Sequence, residues 1–379
     1  EEDHPQGRKP LGVGMGRRIL KVCTSRSWGG MEMSMTVTAD RMRSRGHEIL
    51  PVCYPGSPIH DRLLALDFEP LCFDLWGKFH PFKAFRLSRI INGAEVDIVH
   101  TDYSRDLFTL VPALKMAKPT PLVLHKHVGT KNPKNLPVHP WLYGRVDCAI
   151  GISEVIARNL VETHPLRPDQ VTLIHHGIDM ERFRPDPVKR RALRRDLGLE
   201  EDGLLVGIVG RLQRHKGHLE FLDVARRLLP RHPGARFVIV GEATRGENEE
   251  ADAIVDVMES AGLGDHLILT GYRDDVPDLL GAMDVFLFPT KAEAFGLVIV
   301  EAMAMGVPVV SSDCDGVPDI VVDGETGFLR DPTDVPALTD AVEDLLSDLG
   351  KRSAFGEAGR QRALRMFSLD GMCEKMEAL

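Results

Sequence analysis

The chain of 379 residues has no apolar run approaching the roughly 18 residues that a membrane-spanning helix needs. Its most apolar stretches, such as 204–210 and 285–289, have the length of buried strands. It has no cysteine framework either. Six cysteines, at 23, 53, 72, 148, 314 and 373, form no CxxC pair and have no histidine partner at zinc-finger spacing. That leaves reduced thiols, several inside strand-like runs, as expected of a cytoplasmic protein. The opening EEDHPQGRKP lacks the apolar core of a secretory signal, which carries the same expectation. Repeats of 20–50 residues and low-complexity tracts are absent, which excludes a solenoid and wholesale disorder. Positive charge is not in surplus: the net charge is -9, against a general nucleic-acid binder.

What is present is an ordinary globular composition, 43 % apolar and 27 % charged, in a length that suits two domains or one large α/β barrel. Short apolar runs alternate with helical patterns. Strand-like runs fall at 18–23, 48–53, 97–100, 122–125, 148–153 and 171–175, with helices at 31–45 and 154–163. After an aperiodic break, GIDMERFRPD at 177–186, the alternation restarts: strands at 204–209, 237–241, 267–271, 285–289 and 308–311 are separated by helices, and three helical stretches close the chain. Runs that are apolar throughout, rather than alternating, indicate parallel sheets covered on both faces. The expected fold class is therefore α/β, with two doubly wound domains that meet near residue 180.

Charge divides with the domains. Residues 1–180 carry 23 Lys and Arg against 19 Asp and Glu, net +4; residues 181–379 carry 24 against 37, net -13. The first half is the one suited to an anionic partner. Within it, 76–91 (WGKFHPFKAFRLSRII) interleaves Phe79, Phe82, Phe85 and Ile90 with Lys78, Lys83, Arg86 and Arg89. This pattern fits an interfacial helix on an anionic bilayer, with Pro81 in its first turn, and equally an amphipathic helix packed on the first sheet.

Several segments carry chemistry. Gly12, Gly14 and Gly16 imitate a dinucleotide fingerprint but precede the first strand, where that fingerprint cannot work. Gly29 and Gly30 are better sited, between a strand and a helix whose free amides attract phosphate. In the second half, Arg211 and Lys216 follow the strand LLVGIVG, two cations able to neutralise a diphosphate or simply a solvated basic loop. The sharpest segment is 291–306, KAEAFGLVIVEAMAMG. Glu293 falls in a strand–helix turn, Phe295, Gly296 and Leu297 open the helix, and Glu301 sits among apolar neighbours where a lone carboxylate is costly.

These segments together resemble the retaining nucleotide-sugar glycosyltransferases of the GT-B fold, family 4 (group 1). The resemblance runs through GGMEMSMTVTADRMRSRGHEI, DIVHTD, PLVLHKH, AIGISEVIARNL, HHGIDMERFRP, VGRLQRHKG and FPTKAEAFGLVIVEAMAMGVPVVSSDCDGVPDIVVDGETGFL, with Glu293 and Glu301 forming the family's E-x7-E pair. It implies two Rossmann-like domains facing a cleft: 1–180 on the acceptor side, joined by the C-terminal helix 368–379, and 181–367 binding the donor. It implies that Arg211 and Lys216 grip the donor diphosphate, that Glu301 binds the ribose hydroxyls, and that Glu293 and His127 lie beside the transferred sugar. Phe295, Gly296 and Leu297 would lend backbone to sugar and phosphate, and Gly30 would meet the phosphate from the first domain. His125 stands where the family often has Thr, which favours His127.

No metal or other cofactor is implied, so Asp313-Cys314-Asp315 reads as a structural loop rather than a metal motif. Three positions depart from the family: His176 for Asn, Ala294 for Gly and Asp319 for Glu. The implied activity is transfer from a UDP- or GDP-sugar to a cell-envelope glycan or glycolipid such as lipopolysaccharide core, at the inner face of the cytoplasmic membrane. The rival readings are a nucleotide-sugar epimerase or hydrolase on the same fold, and a non-catalytic nucleotide-sugar binder.

Overall fold

The computed structural model describes residues 16–75, 80–200, 203–243 and 248–379. Gly12 and Gly14 of the glycine-rich lead-in, and Trp76, Lys78 and Phe79 of the aromatic–basic segment, lie outside the described residues. Among the described residues, no helix is long and apolar enough to cross a membrane.

The chain forms two sheets, parallel wherever strand pairs are registered. The first has seven strands: β1 (Arg18–Cys23), β2 (Glu48–Cys53), β3 (Leu71–Cys72), β4 (Ile98–Thr101), β5 (Leu122–Lys126), β6 (Cys148–Gly151) and β7 (Val171–Leu173). Their order is β3-β2-β1-β4-β5-β6-β7. The second has six: β8 (Leu205–Val209), β9 (Arg236–Val240), β10 (Leu267–Gly271), β11 (Val285–Phe288), β12 (Val309–Ser312) and β13 (Gly327–Arg330), ordered β10-β9-β8-β11-β12-β13. Each order reverses once, between β1 and β4 and between β8 and β11, as the doubly wound expectation requires. In such sheets ligands bind at the carboxyl ends of the strands beside the reversal. Contacts divide the chain into two compact units: 1–126, 134–149 and 164–170 form one, and 127–133, 150–163 and 171–379 form the other.

The first unit buries polar groups in the middle of its sheet. Lys21 lies opposite His100 in the β1–β4 register. Side chains alternate faces along a strand, so Asp102, two residues past His100, extends the same row. Lys21 Nζ donates to Asp102 Oδ2 at 3.0 Å with both side chains buried, and His125 Nδ1 lies 3.4 Å from Asp102 Oδ1. Asp106 accepts from the Thr24 hydroxyl at 2.5 Å, and burial pushes its carboxyl up to about 7. At the sheet edge Cys53 pairs in register with Cys72, and burial pushes the Cys53 thiol up to about 12. Helix Pro81–Gly93 has Pro81 in its first turn and buries Ala84, Leu87, Ser88 and Ile91.

The second unit has a continuous apolar core running from Ile152 to Phe367. Helix Pro187–Asp196 packs Leu193 against it, but its buried residue is Arg194. Arg190 and Arg194 donate to the carbonyls of Gly281, Ala282 and Met283 and to both oxygens of Asp284, which also accepts from Leu205 N–H. Helix Leu369–Ala378 closes the chain, with Ser368 accepting from Gly371 N–H as its cap and bridging to Ile178.

Candidate functional site

In the second unit, β8 and β11 are neighbours at the reversal of strand order, and the loops that leave their carboxyl ends carry most of the candidate residues. The loop after β8 runs through Arg211 to a 3-10 turn, Arg214–Lys216, and enters helix His218–Leu228 through Gly217. Gly217 has φ of +85°, and a Cβ there would lie 2.1 Å from the carbonyl oxygen of Pro289. Only glycine lets the two loops approach this closely. Two further bonds fasten them: Lys291 N–H and the Thr290 hydroxyl both donate to the carbonyl of His215, at 2.7 and 3.1 Å. Across this junction Lys216 Nζ donates to Glu293 Oε2 at 2.6 Å, with side-chain exposures of 14 % and 18 %. The pair is shielded enough for its charges to act strongly and open enough for a ligand to reach.

The backbone of Glu293 is clamped from the loop after β12. Its N–H donates to Asp315 Oδ2 at 3.1 Å, and its carbonyl accepts from Gly316 N–H at 3.0 Å. Asp315 is therefore occupied in shaping this loop, and burial pushes the neighbouring Cys314 thiol up to about 11. Gly296, at φ of +110°, turns the chain into helix Leu297–Ala304. This brings the amides of the first turn to the same end of the sheet, where a helix N-terminus favours anions. Glu301 lies one turn further on. Burial pushes its carboxyl up to about 7 from an ordinary 4.5, against the pull of Arg182. Among the described residues no side chain or amide donates to it, so the cost of this partly buried carboxylate is offset by the Arg182 charge and not by hydrogen bonds.

The third wall is aromatic. Phe295 is buried and stacks on His175, with ring centroids 5.7 Å apart, and meets His176 and Phe367 edge-on. His127 Nδ1 lies 3.2 Å from His176 Nε2, the two rings nearly parallel with centroids 5.0 Å apart. Asp319 Oδ2 holds His175 Nε2 at 3.2 Å and accepts from Glu154 N–H at 2.7 Å. The Ser153 hydroxyl donates to the carbonyl of Ala294 at 2.6 Å. The second unit thus gathers Arg211, Lys216, Glu293, Phe295, Gly296, Leu297, Glu301 and His127.

Gly30 belongs to the first unit, where it opens helix Gly30–Ser44 behind an extended Gly29. That terminus already holds a carboxylate: Glu32 is buried in the first turn and accepts from the Ser25 hydroxyl at 2.5 Å. The same unit brings His100, Asp102 and His125 together with ligand-type atoms within 4.8 Å of one another. The Lys21 ammonium beside Asp102 already neutralises that carboxylate, which removes the electrostatic case for a cation there.

Two family models match the chain: "Glycosyltransferase Family 4" over residues 28–182 and "Glycosyl transferases group 1" over residues 189–362. A D-inositol 3-phosphate glycosyltransferase of Mycobacterium bovis is 33 % identical over 349 residues, which cover 84 % of this chain and 71 % of that protein. The chain belongs to glycosyltransferase family 4, group 1. A second relative of this family is a lipopolysaccharide core biosynthesis mannosyltransferase, LpsB, of Rhizobium meliloti, 33 % identical over 201 residues (52 % of this chain). A third, the capsular polysaccharide biosynthesis glycosyltransferase CapM of Staphylococcus aureus, is 28 % identical over 61 % of this chain. The chain spans 57 % and 60 % of the lengths of those two relatives.

Among solved structures, a glycosyltransferase from Rickettsia africae superposes with a TM-score of 0.86 at 22 % identity, covering 95 % of this chain and 97 % of that one. Anabaena Alr3699/HepE, in complex with UDP and glucose, gives 0.81 at 23 % identity, covering 94 % and 97 %. At these identities the likeness establishes the GT-B fold of family 4.

Four further residues shape the site without being among its candidate residues. His218 is fully buried, and its Nε2 lies 2.9 Å from the carbonyl of Arg211, fixing the backbone of that cation; burial lowers its basicity. Ser153, Asp315 and Asp319 act on the site through backbone groups or through His175. Asp315 belongs to the loop that the sequence marks as structural and Asp319 to a departure from the family; His218 and Ser153 stand out in neither way, although His218 is a histidine directly behind the turn glycine.

Proposed function

We propose that this chain transfers a hexosyl group, with retention, from a UDP- or GDP-sugar to a cell-envelope glycan or glycolipid acceptor. The observation that carries the proposal is the Lys216–Glu293 pair at the strand-order reversal, with the uncommitted Glu301 one helix turn beyond the Gly296 bend. Cleavage of the sugar–phosphate bond builds negative charge on the departing diphosphate. Arg211, Lys216 and the first amides of helix Leu297–Ala304 are preorganised to stabilise it. Lys216, drawn toward phosphate, releases Glu293 to accept from the sugar hydroxyls, and the Glu301 carboxyl accepts from the ribose. His127 stands beside the sugar. The departing phosphate oxygen removes the acceptor's proton on the same face.

The relatives that build lipopolysaccharide core and capsule support an envelope acceptor. Helix Pro81–Gly93 supports its delivery from a membrane surface, since Phe82 and Phe85 are 87 % and 55 % exposed beside Arg86 and Arg89.

A thermal-shift panel with UDP, GDP, ADP and their common sugar conjugates tests donor binding. A ligand at 100 times its dissociation constant adds about 2.7 kcal/mol. A shift selective for one base is the expected result, and no shift with any nucleotide overturns the donor site. With the donor so chosen, Lys216→Ala and Glu293→Ala should nearly abolish release of the nucleoside diphosphate in the presence of an acceptor extract while circular dichroism is unchanged. Wild-type rates in both variants sink the assignments. Rapid donor conversion with no acceptor present turns the reading to a hydrolase or epimerase.

A further inference from the structure

In the first sheet β5 lies next to β4 at the reversal of strand order and ends on Lys126, and Ser104 opens the 3-10 turn that follows β4. Lys126 Nζ donates to the Ser104 hydroxyl at 3.1 Å, and the hydroxyl of buried Tyr143 is hydrogen-bonded to the same serine. Among the described residues Lys126 has no carboxylate partner, and Lys134, whose charge acts on it, has none either. Burial, and then the like charge of Lys134, push the Lys126 ammonium down to about 8. Elsewhere in this unit a buried lysine is neutralised, Lys21 by Asp102 at 3.0 Å. Here two positive charges meet beside two hydroxyls with nothing to balance them, an arrangement that an incoming anion relieves. The cations also select the anion. A carboxylate is planar, singly charged and best matched by the arginine fork. A phosphate monoester carries about -1.5 to -2 charges at pH 7 and accepts from several directions, which suits two ammonium point charges and neighbouring hydroxyls. Burial pushes the Tyr143 phenol up to about 12, so it stays a neutral hydroxyl. The carboxyl ends of strands beside a reversal are where such sheets bind ligands.

We propose that Lys126 and Lys134, with the Ser104 and Tyr143 hydroxyls, hold a phosphoryl group of the acceptor on the first unit. That the group belongs to an acceptor rests on the glycosyltransfer reading; that the two lysines bind phosphate does not. Titration calorimetry of the full-length protein with inorganic phosphate tests the site. Lys126→Met and Lys134→Met should each weaken binding at least about tenfold with circular dichroism unchanged, whereas Lys216→Ala, in the donor loop, should retain it. Raising the pH from 8 to 9, where phosphate is already doubly charged, should weaken binding in the parent as Lys126 loses its proton, and less so in Lys126→Met. No binding, binding indifferent to Lys126→Met, or binding lost in Lys216→Ala alone overturns the proposal.

Glycerol 3-phosphate in solution and phosphatidic acid in phosphatidylcholine vesicles separate a soluble phosphoester from a lipid head group. The probe whose binding falls in Lys126→Met identifies the source, and a fall with neither overturns the assignment to an acceptor. The kinetic arm uses UDP-glucose and GDP-mannose, read by nucleoside diphosphate release with an acceptor extract. Lys126→Met should raise the amount of extract needed for half-maximal release at least about tenfold, with KM for the donor nearly unchanged. A loss confined to the donor KM gives the lysine to the donor instead and overturns the proposal. Failure of the transferase reading itself would show differently, as full activity in Lys216→Ala and Glu293→Ala with phosphate binding at Lys126 intact.

Discussion

At the scale of single residues, Glu301 sets function against stability. Its carboxyl binds a proton up to about pH 7 in the folded chain and only up to its ordinary 4.5 when unfolded. Between those values the folded state holds the extra proton, so stability is greatest at low pH and declines as pH rises through the window. Glu301→Gln removes the decline. At pH 8 the variant should be more stable than the parent by up to about 3 kcal/mol, the equivalent of moving the carboxyl from 4.5 to about 7. At pH 4 the difference should vanish. Binding should move the other way. In the donor reading proposed above a ribose hydroxyl donates to the carboxylate, and on that reading nucleotide affinity should rise from pH 6 to pH 8 in the parent. In the variant it should be lower by about tenfold and flat with pH. Denaturant unfolding and titration calorimetry at the three pH values check both halves. A variant less stable than the parent at pH 8 would contradict a net cost of holding this carboxylate in the apolar helix.

At the scale of elements, the long-range fastenings are what the sequence concealed. The strands β1, β2 and β10 and helix Glu154–Thr163 coincide with their apolar runs or periodic stretches, because burial on both faces leaves a contiguous signature. The E-x7-E spacing likewise announced itself, being contained in one loop and one helix. The two-residue β3 carries too few residues for any pattern, and β13 has two apolar residues between a glycine and an arginine. Helix Pro187–Asp196 escaped because its anchors are arginines instead of a 3.6-residue apolar stripe. The Lys216–Glu293 and His127–His176 pairs span 77 and 49 residues, distances across which no local spacing speaks.

Helix Pro187–Asp196 makes a sharp case of such a fastening. Asp284 is nearly buried and accepts from Arg190, Arg194 and the Leu205 amide at 2.7, 2.9 and 2.8 Å. Asp284→Ala leaves two partly buried guanidinium groups without their counter-charge, and should cost about 3–5 kcal/mol. Asp284→Asn, which retains acceptor geometry but not charge, should cost less. Equilibrium unfolding in urea, followed by far-UV circular dichroism, measures both. A loss below about 1 kcal/mol in Asp284→Ala would mean that apolar contacts, not this network, hold the helix.

At the scale of the whole molecule, the net positive charge and, among the described residues, the exposed phenylalanine and tryptophan side chains fall in the same half of the chain. Residues 1–180 are net +4 in a protein that is net -9. Within that half, helix Pro81–Gly93 packs one row of side chains inward and leaves a second row exposed. Ala84, Leu87, Ser88 and Ile91 face the unit's interior. Phe82, Phe85, Arg86 and Arg89 form a second row at spacings of three, four and seven, and all four are exposed. Packing on the sheet accounts for the first row; in the second, Arg86 lies over the Phe73 ring at 4.8 Å, and the two phenylalanines remain exposed. Two phenylalanines held out beside two arginines are the composition that enters the interface of an anionic bilayer, the rings among the acyl chains and the guanidinium groups at the phosphates.

The chain should therefore sediment with vesicles containing phosphatidylglycerol and not with phosphatidylcholine alone. Raising salt from about 0.1 to about 1 M shortens the screening length from about 10 to about 3 Å and should release much of the bound protein. Phe82→Ser with Phe85→Ser should weaken partitioning by at least about tenfold, since burying each ring contributes about 1.5–3 kcal/mol. The inward row is untouched by these changes, so the fold should persist and nucleotide-induced thermal shifts should be unaltered. Binding that survives both the salt and the double substitution would place the membrane contact elsewhere on the chain. Binding to neither vesicle would leave the exposed row to a protein partner and separate delivery of the acceptor from this helix.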